Sequence, residues 1–203
     1  MVTVYSAPDT RAIRVIWVLE EIGAKAEIRS MPYPPRQHAP DYFAVNPTGM
    51  VPLLIDGEVR LSESMAICDY LATKHGSPLV VPTKDPERPQ FLQWLWYGES
   101  TLMTPLSRLN IVRQVEGKGA PDVAALIAGA RASVAERLKM LEQRLEGRDF
   151  LVAGRLTLAD ISVSYPLHLA GMLGVDDLLG PRAVAYRERL RARPAHQRAL
   201  ALS

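Results

Sequence analysis

The chain has 203 residues, enough for one large domain or two small ones with a real buried core. Its net charge of +2 is too small to favour nucleic acid, and no apolar run reaches membrane-spanning length. The single cysteine, Cys68, excludes an intrachain disulfide framework, and no Cys-x-x-Cys pair is present. The opening residues lack the basic-then-apolar pattern of a secretory leader. These features predict a soluble cytoplasmic protein without a metal site, and with neither a nucleic-acid nor a membrane partner.

Val2–Tyr5 is short and rich in β-formers and reads as a strand. Ala12, Val15, Ile16, Leu19 and Ile22 then recur at helical spacing, with Asp9 or Thr10 placed to cap the start and Gly23 to end it. Ala26–Met31 reads as a second strand, and strand, helix, strand at this spacing predicts a parallel pair. A proline-rich loop spans Pro32 to Pro40. Leu53–Ile55 and Val59–Leu61 flank Asp56-Gly57, which predicts a hairpin turning on those two residues. Ser64, Ile67, Cys68 and Leu71 share a helical face that closes at Gly76.

Four prolines between residues 77 and 89 read as a linker. Beyond it strand signals vanish. Helical patterns run from about Gln90 to Val115, from Pro121 to Glu146, from near Thr157, and from about Pro181 to Arg193. In Leu156-Thr157-Leu158-Ala159-Asp160-Ile161, Thr157 and Asp160 have the spacing of a capping box. A catalytic Asp160 is the alternative, and capping is the favoured reading. Arg182, Arg187, Arg189, Arg191, Arg193 and Arg198 read as a solvated helix face. The predicted organisation is a small α/β domain over 1–76, a linker over 77–89 and an all-helical domain over 90–203.

Five stretches, taken together and in order, resemble the cytosolic glutathione transferase family. They are YSAPDTRAIRVIWVLEEIG, NPTGMVPLL, LSESMAICDYL, LTLADISVS and RPAHQRAL. The resemblance covers almost the whole chain. It implies a thioredoxin-like N-terminal domain followed by an all-α C-terminal domain, in a homodimer. It implies glutathione as co-substrate, no prosthetic cofactor, and transfer of the thiol to a small apolar electrophile in a detoxification reaction. A glutathione-binding protein with little turnover is an alternative. So is a specialised isomerase, dehalogenase or ether-cleaving enzyme.

The resemblance also assigns roles. It implies a cis Val51-Pro52 bond, with the Val51 backbone pairing with the cysteinyl backbone of glutathione. Glu63 and Ser64, at a helix start where free N–H groups favour an anion, would hold the γ-glutamyl amine and carboxylate. Met50 stands where the family often has a lysine for the glycyl carboxylate, and Arg36, Gln37 or His38 could replace it. Glu99 lies on a solvated face, or, as an acidic residue on this helix does in some family members, would reach the partner subunit's ligand. Leu102, Met103, Leu106 and Tyr165 would line the electrophile pocket.

A thiol reacts as its thiolate, and a free thiol has a pKa of about 8.5, so the protein must supply a donor to sulfur. Three hydroxyls compete: Tyr5 at the end of the strand, Ser6 after it, and Thr10. Thr10 is favoured, because it stands directly before arginine and the helix, where bacterial members often carry serine. Cys68 lies on an apolar face and reads as core.

Overall fold

The computed structural model describes residues 2–114 and 122–202. The ends of two expected helices, Val115 and Pro121, lie outside the described residues. The chain forms two compact units, residues 1–80 with 191–203, and residues 81–190. The expected division ran the helical domain from 90 to 203, whereas the last segment folds onto the first unit instead. No described helix is long and apolar enough to cross a membrane.

The first unit is a four-stranded mixed sheet of order β2-β1-β3-β4. Its strands are β1 (Val2–Ser6), β2 (Ala26–Ser30), β3 (Leu53–Asp56) and β4 (Val59–Leu61). β1 runs parallel to β2 and antiparallel to β3. The crossover between β1 and β2 is α1 (Ala12–Ile22), which stops at Gly23 in the left-handed conformation, φ 66°. Residues 12–19 of α1 are buried on every side, as expected of a helix packed within a core rather than laid on a surface.

Two details depart from the sequence reading. The proline-rich loop contains a single helical turn, α2 (Pro35–His38), and a 3-10 turn, Pro40–Ala44. In each, proline occupies a first position whose N–H would be unpaired anyway and whose φ is already near helical. The hairpin also turns one residue later than expected. Asp56 pairs with Val59, so Gly57-Glu58 form the turn, and of these only Gly57 has positive φ. The Asp56 carboxylate is held in the strand by the Tyr70 hydroxyl, at 2.9 Å, and by Lys74. Those partners come from α3 (Ser64–Lys74).

The second unit holds α4 (Arg88–Trp96), a π-helical segment (Tyr97–Leu102), α5 (Met103–Gln114), α6 (Val123–Arg144), α7 (Leu158–Met172) and α8 (Pro181–Arg191). The last helix, α9 (Pro194–Leu202), belongs to the first unit. Several of the clustered arginines make ion pairs, and Arg182, Arg189 and Arg198 do so on the exposed surface. Arg182 pairs with Glu146, Arg187 with Asp176, Arg189 with Asp149, Arg193 with Glu21, and Arg198 with Glu20.

Candidate functional site

The strand-to-helix turn after β1 is built around Thr10. Asp9 has φ 58°, which reverses the chain, and Thr10 then folds back on it. The Thr10 hydroxyl donates to the Ala7 carbonyl at 2.7 Å and accepts the Ala12 N–H at 3.4 Å. It therefore satisfies one of the first N–H groups of α1, while the residue between, Arg11, offers no capping side chain. Ser6 is 1 % exposed, and among the described residues its Oγ has no hydrogen-bonding partner.

Tyr5 belongs elsewhere. Alternation along β1 turns it to the sheet face opposite Val4 and Ser6. Its ring lies 5.3 Å from that of Tyr42, over Leu53. Its hydroxyl accepts a hydrogen bond from Arg29 at 2.8 Å.

The second candidate segment leads into β3. The Met50 carbonyl accepts hydrogen bonds from the Asn46 amide at 2.7 Å and the Tyr42 hydroxyl at 3.0 Å. Burial pushes the Tyr42 phenol above its usual range, so it remains a donor. The Val51-Pro52 bond is cis, Pro52 is buried, and the Met50 side chain is exposed. Gly49 has φ 61°, and a Cβ there would lie 2.9 Å from the Arg36 Cβ and 2.8 Å from the Phe43 ring. Arg36 therefore stands directly beside the Gly49-Met50 corner. Gln37 and His38 are exposed on the same short α2.

The third candidate segment is the start of α3. Glu63 has φ 37° and ψ 107°, a conformation that costs a non-glycine residue of order 1–3 kcal/mol and clusters at functional sites. Its side chain does not cap the helix. Ser64 is buried and its Oγ accepts a hydrogen bond from Arg14 at 3.1 Å. Arg14 is fully buried on α1, and periodicity alone does not select it. The available signal was a single arginine on a helix otherwise apolar from Ala12 to Leu19, because a buried charge must be compensated. The turn, the Met50–Pro52 corner and Ser64 thus all lie in the first unit, with Arg14 joining α1 to α3.

Models of two domains match this chain: the glutathione S-transferase N-terminal domain over residues 1–73 and the glutathione S-transferase C-terminal domain over 107–194. A probable glutathione S-transferase of Oryza sativa subsp. japonica is 32% identical, aligned over 93% of this chain and 90% of the relative. The chain belongs to the glutathione transferase family. Two solved structures agree. A glutathione transferase from Methylococcus capsulatus is 29% identical with a TM-score of 0.84, covering 99% of this chain and 98% of that one. A family member from Pseudomonas fluorescens, with two glutathione bound, is 26% identical with a TM-score of 0.86, covering 98% and 92%. The first unit of this glutathione transferase is thus the thioredoxin-like domain, and the protein is an enzyme with glutathione as co-substrate.

The remaining candidates lie in the helical unit of the transferase. Glu99 is half-buried in the π-helical segment, where one extra residue per turn redirects side chains. That segment meets α7 at Gly98, where an added Cβ would lie 2.6 Å from the Ser162 backbone. Leu102, Met103, Leu106 and Tyr165 are all buried in this unit. Asp160 forms the expected capping box and does more. Its carboxylate accepts from the N–H groups of Thr157 and Leu151 and from the hydroxyls of Thr157 and Tyr186, at 2.8–3.0 Å. Burial raises the carboxyl despite these donors, and pushes the Tyr186 phenol well up. With its bonding positions taken by structural donors, Asp160 is a joint between α7, α8 and the loop at Leu151.

Proposed function

We propose that this glutathione transferase binds the glutathione thiol at the start of α1 and that the Thr10 hydroxyl donates to the sulfur. The position of that hydroxyl, beside the first N–H groups of α1, carries the reading. A helix start favours negative charge, and a hydrogen bond to sulfur favours the thiolate over the thiol. The Thr10 hydrogen now points to the Ala7 carbonyl. Rotation about Cβ–Oγ redirects it to a bound sulfur without moving the oxygen. Ser6 is the reserve donor, and Tyr5, on the other sheet face, is disfavoured.

The rest of the tripeptide follows from the same corner. The Val51 backbone pairs with the cysteinyl unit in the manner of an added strand. Ser64 and the uncapped start of α3 take the γ-glutamyl carboxylate, with the Arg14 charge behind them, and Glu63 takes the amine. Arg36, beside Gly49, replaces the lysine absent at Met50 and holds the glycyl carboxylate. The thiol loses its proton to solvent. The thiolate then attacks an electrophilic carbon of a small apolar substrate, forming a thioether, with a leaving group such as halide expelled where displacement occurs. In a homodimer Glu99 serves the partner's ligand.

Conjugation of a chloronitrobenzene, together with ultraviolet titration of bound thiolate, tests the reading. Thr10→Ala is expected to lower kcat roughly ten- to hundredfold and raise the thiolate midpoint, since a hydrogen bond to a charged group is worth about 1.5–3 kcal/mol. Thr10→Ser is expected to preserve both. A damaging Ser6→Ala beside a harmless Thr10→Ala would move the role to Ser6.

A further inference from the structure

The start of α1 carries the proposed thiol site, and its end carries the attachment of α9. Glu21 is held bidentately by Arg193, with Nε donating to Oε1 at 2.7 Å and Nη2 to Oε2 at 2.9 Å. The Trp17 indole N–H donates to the same carboxylate at 2.9 Å. Next to this group, Arg198 donates to Glu20 at 2.5 Å. Trp17 is almost wholly buried and meets the His196 ring edge-on, with centroids 4.7 Å apart. Ala195 and Ala199 are buried on the same helix.

Two kinds of contact therefore join α9 to α1. The buried contact of Trp17 with His196 would by itself bring the helices together, but apolar contact is non-directional. The fork-to-fork pairing of a guanidinium with a carboxylate is directional, and fixes one helix against another in both rotation and translation. The grip falls close to the site. Trp17 lies three residues after Arg14, a spacing at which helical side chains are neighbours, and Arg14 is the residue that bonds Ser64. Thr10 stands just before the same helix. A helix moves as a rod, so a slip at Glu21 reaches Arg14 and Thr10 together.

We propose that Arg193 is a positioning residue for catalysis: through Glu21 and Trp17 it sets α1 so that Arg14 meets Ser64 and Thr10 faces the glutathione sulfur. This rests on the site reading given above. Misplacing a reacting group by about 1 Å can cost up to ~10²-fold in rate, so a small shift of this helix is sufficient.

The test compares Arg193→Met, Arg193→Lys, Glu21→Gln and the Arg193→Met/Glu21→Gln double variant with wild type. Folding is followed by circular dichroism, bound glutathione thiolate by ultraviolet titration, and turnover by chloronitrobenzene conjugation. In folded Arg193→Met the thiolate midpoint is expected to rise by roughly half a pH unit, about a threefold loss of thiolate below the midpoint, with kcat falling alongside. Glu21→Gln, nearly isosteric, is expected to give the same shift, and it carries the test if Arg193→Met does not fold. The double variant is expected to match the single ones, because the two groups act as one pair. Arg193→Lys, which keeps the charge without the fork, is expected to recover only part of the effect. Variants that melt earlier yet keep the wild-type midpoint and kcat would make α9 a structural brace and overturn the proposal, as would additive effects. A wild-type enzyme that binds glutathione without any thiolate would overturn the site reading itself, and this inference with it.

Discussion

At Thr10 the hydroxyl hydrogen lies on the Ala7 carbonyl, and the proposed role turns that same hydrogen toward a bound sulfur. Thr10 was legible in the sequence, because a cap must precede an apolar-periodic run. Arg14 was not, because a periodicity reading records where apolar residues recur and treats a lone charge among them as noise. Its role depends on Ser64, fifty positions along the chain, which only the packed helices bring close. The orientation of Tyr5 was equally hidden, since its partner Arg29 comes from the next strand. Arg14→Met is expected to raise KM for glutathione about tenfold, the scale of one charge-assisted hydrogen bond. Arg14→Lys is expected to recover only part of it, since an ammonium lacks the planar fork. Steady-state kinetics with varied glutathione measures this, and an unchanged KM would detach Arg14 from the site.

Among the elements, those with local signals were read well and those imposed by packing were not. α1, α3 and α7 carry their own stops or caps, at Gly23, Gly76 and Thr157-Asp160. The π-helical segment arises where Gly98 closes on Ser162, a contact distant in sequence. α9 is only nine residues long, too short to be stable alone, so its helical state comes from α1. Two predictions belong here. Asp160→Ala leaves the N–H groups of Leu151 and Thr157 and the Tyr186 hydroxyl without their acceptor. A loss of at least ~3 kcal/mol in urea unfolding is expected, at about 1–3 kcal/mol for each unsatisfied buried group. The second concerns acid. Burial acts to raise the Glu21 carboxyl, but the hydrogen bonds from Arg193 and Trp17, helped by the nearby Arg198 charge, hold it below the ordinary value of 4.5. Stabilisation from this depressed carboxyl is present above pH 4.5 and is lost as pH falls through its folded value. Wild-type stability should therefore drop more steeply than that of Glu21→Gln as pH falls below about 4.5, in melts across that window.

For the whole molecule, the two fold classes were foreseen, but the grouping of residues 191–203 with the first unit was not. A composition shift marks where strands stop, whereas it does not reveal that a late helix returns to the first unit. The proposed homodimer is tested at this scale by sedimentation. Twice the chain mass of 22.4 kDa is expected, and a stable monomer would remove Glu99 from the site. Leu92 and Trp96 are exposed and one helical turn apart on α4. Trp96→Glu is accordingly expected to weaken association.

The return of residues 191–203 to the first unit also sets an order of events during synthesis. Residues 1–80 leave the ribosome first, yet α1 cannot receive Arg193 until more than a hundred further residues have been made. At translation speeds of about 5–20 residues per second, Trp17 and its apolar neighbours wait roughly 5–25 seconds for their cover. The helical unit, by contrast, is one unbroken stretch that can close as it emerges. The nascent thioredoxin-like unit thus passes through an interval in which the far end of α1 is bare.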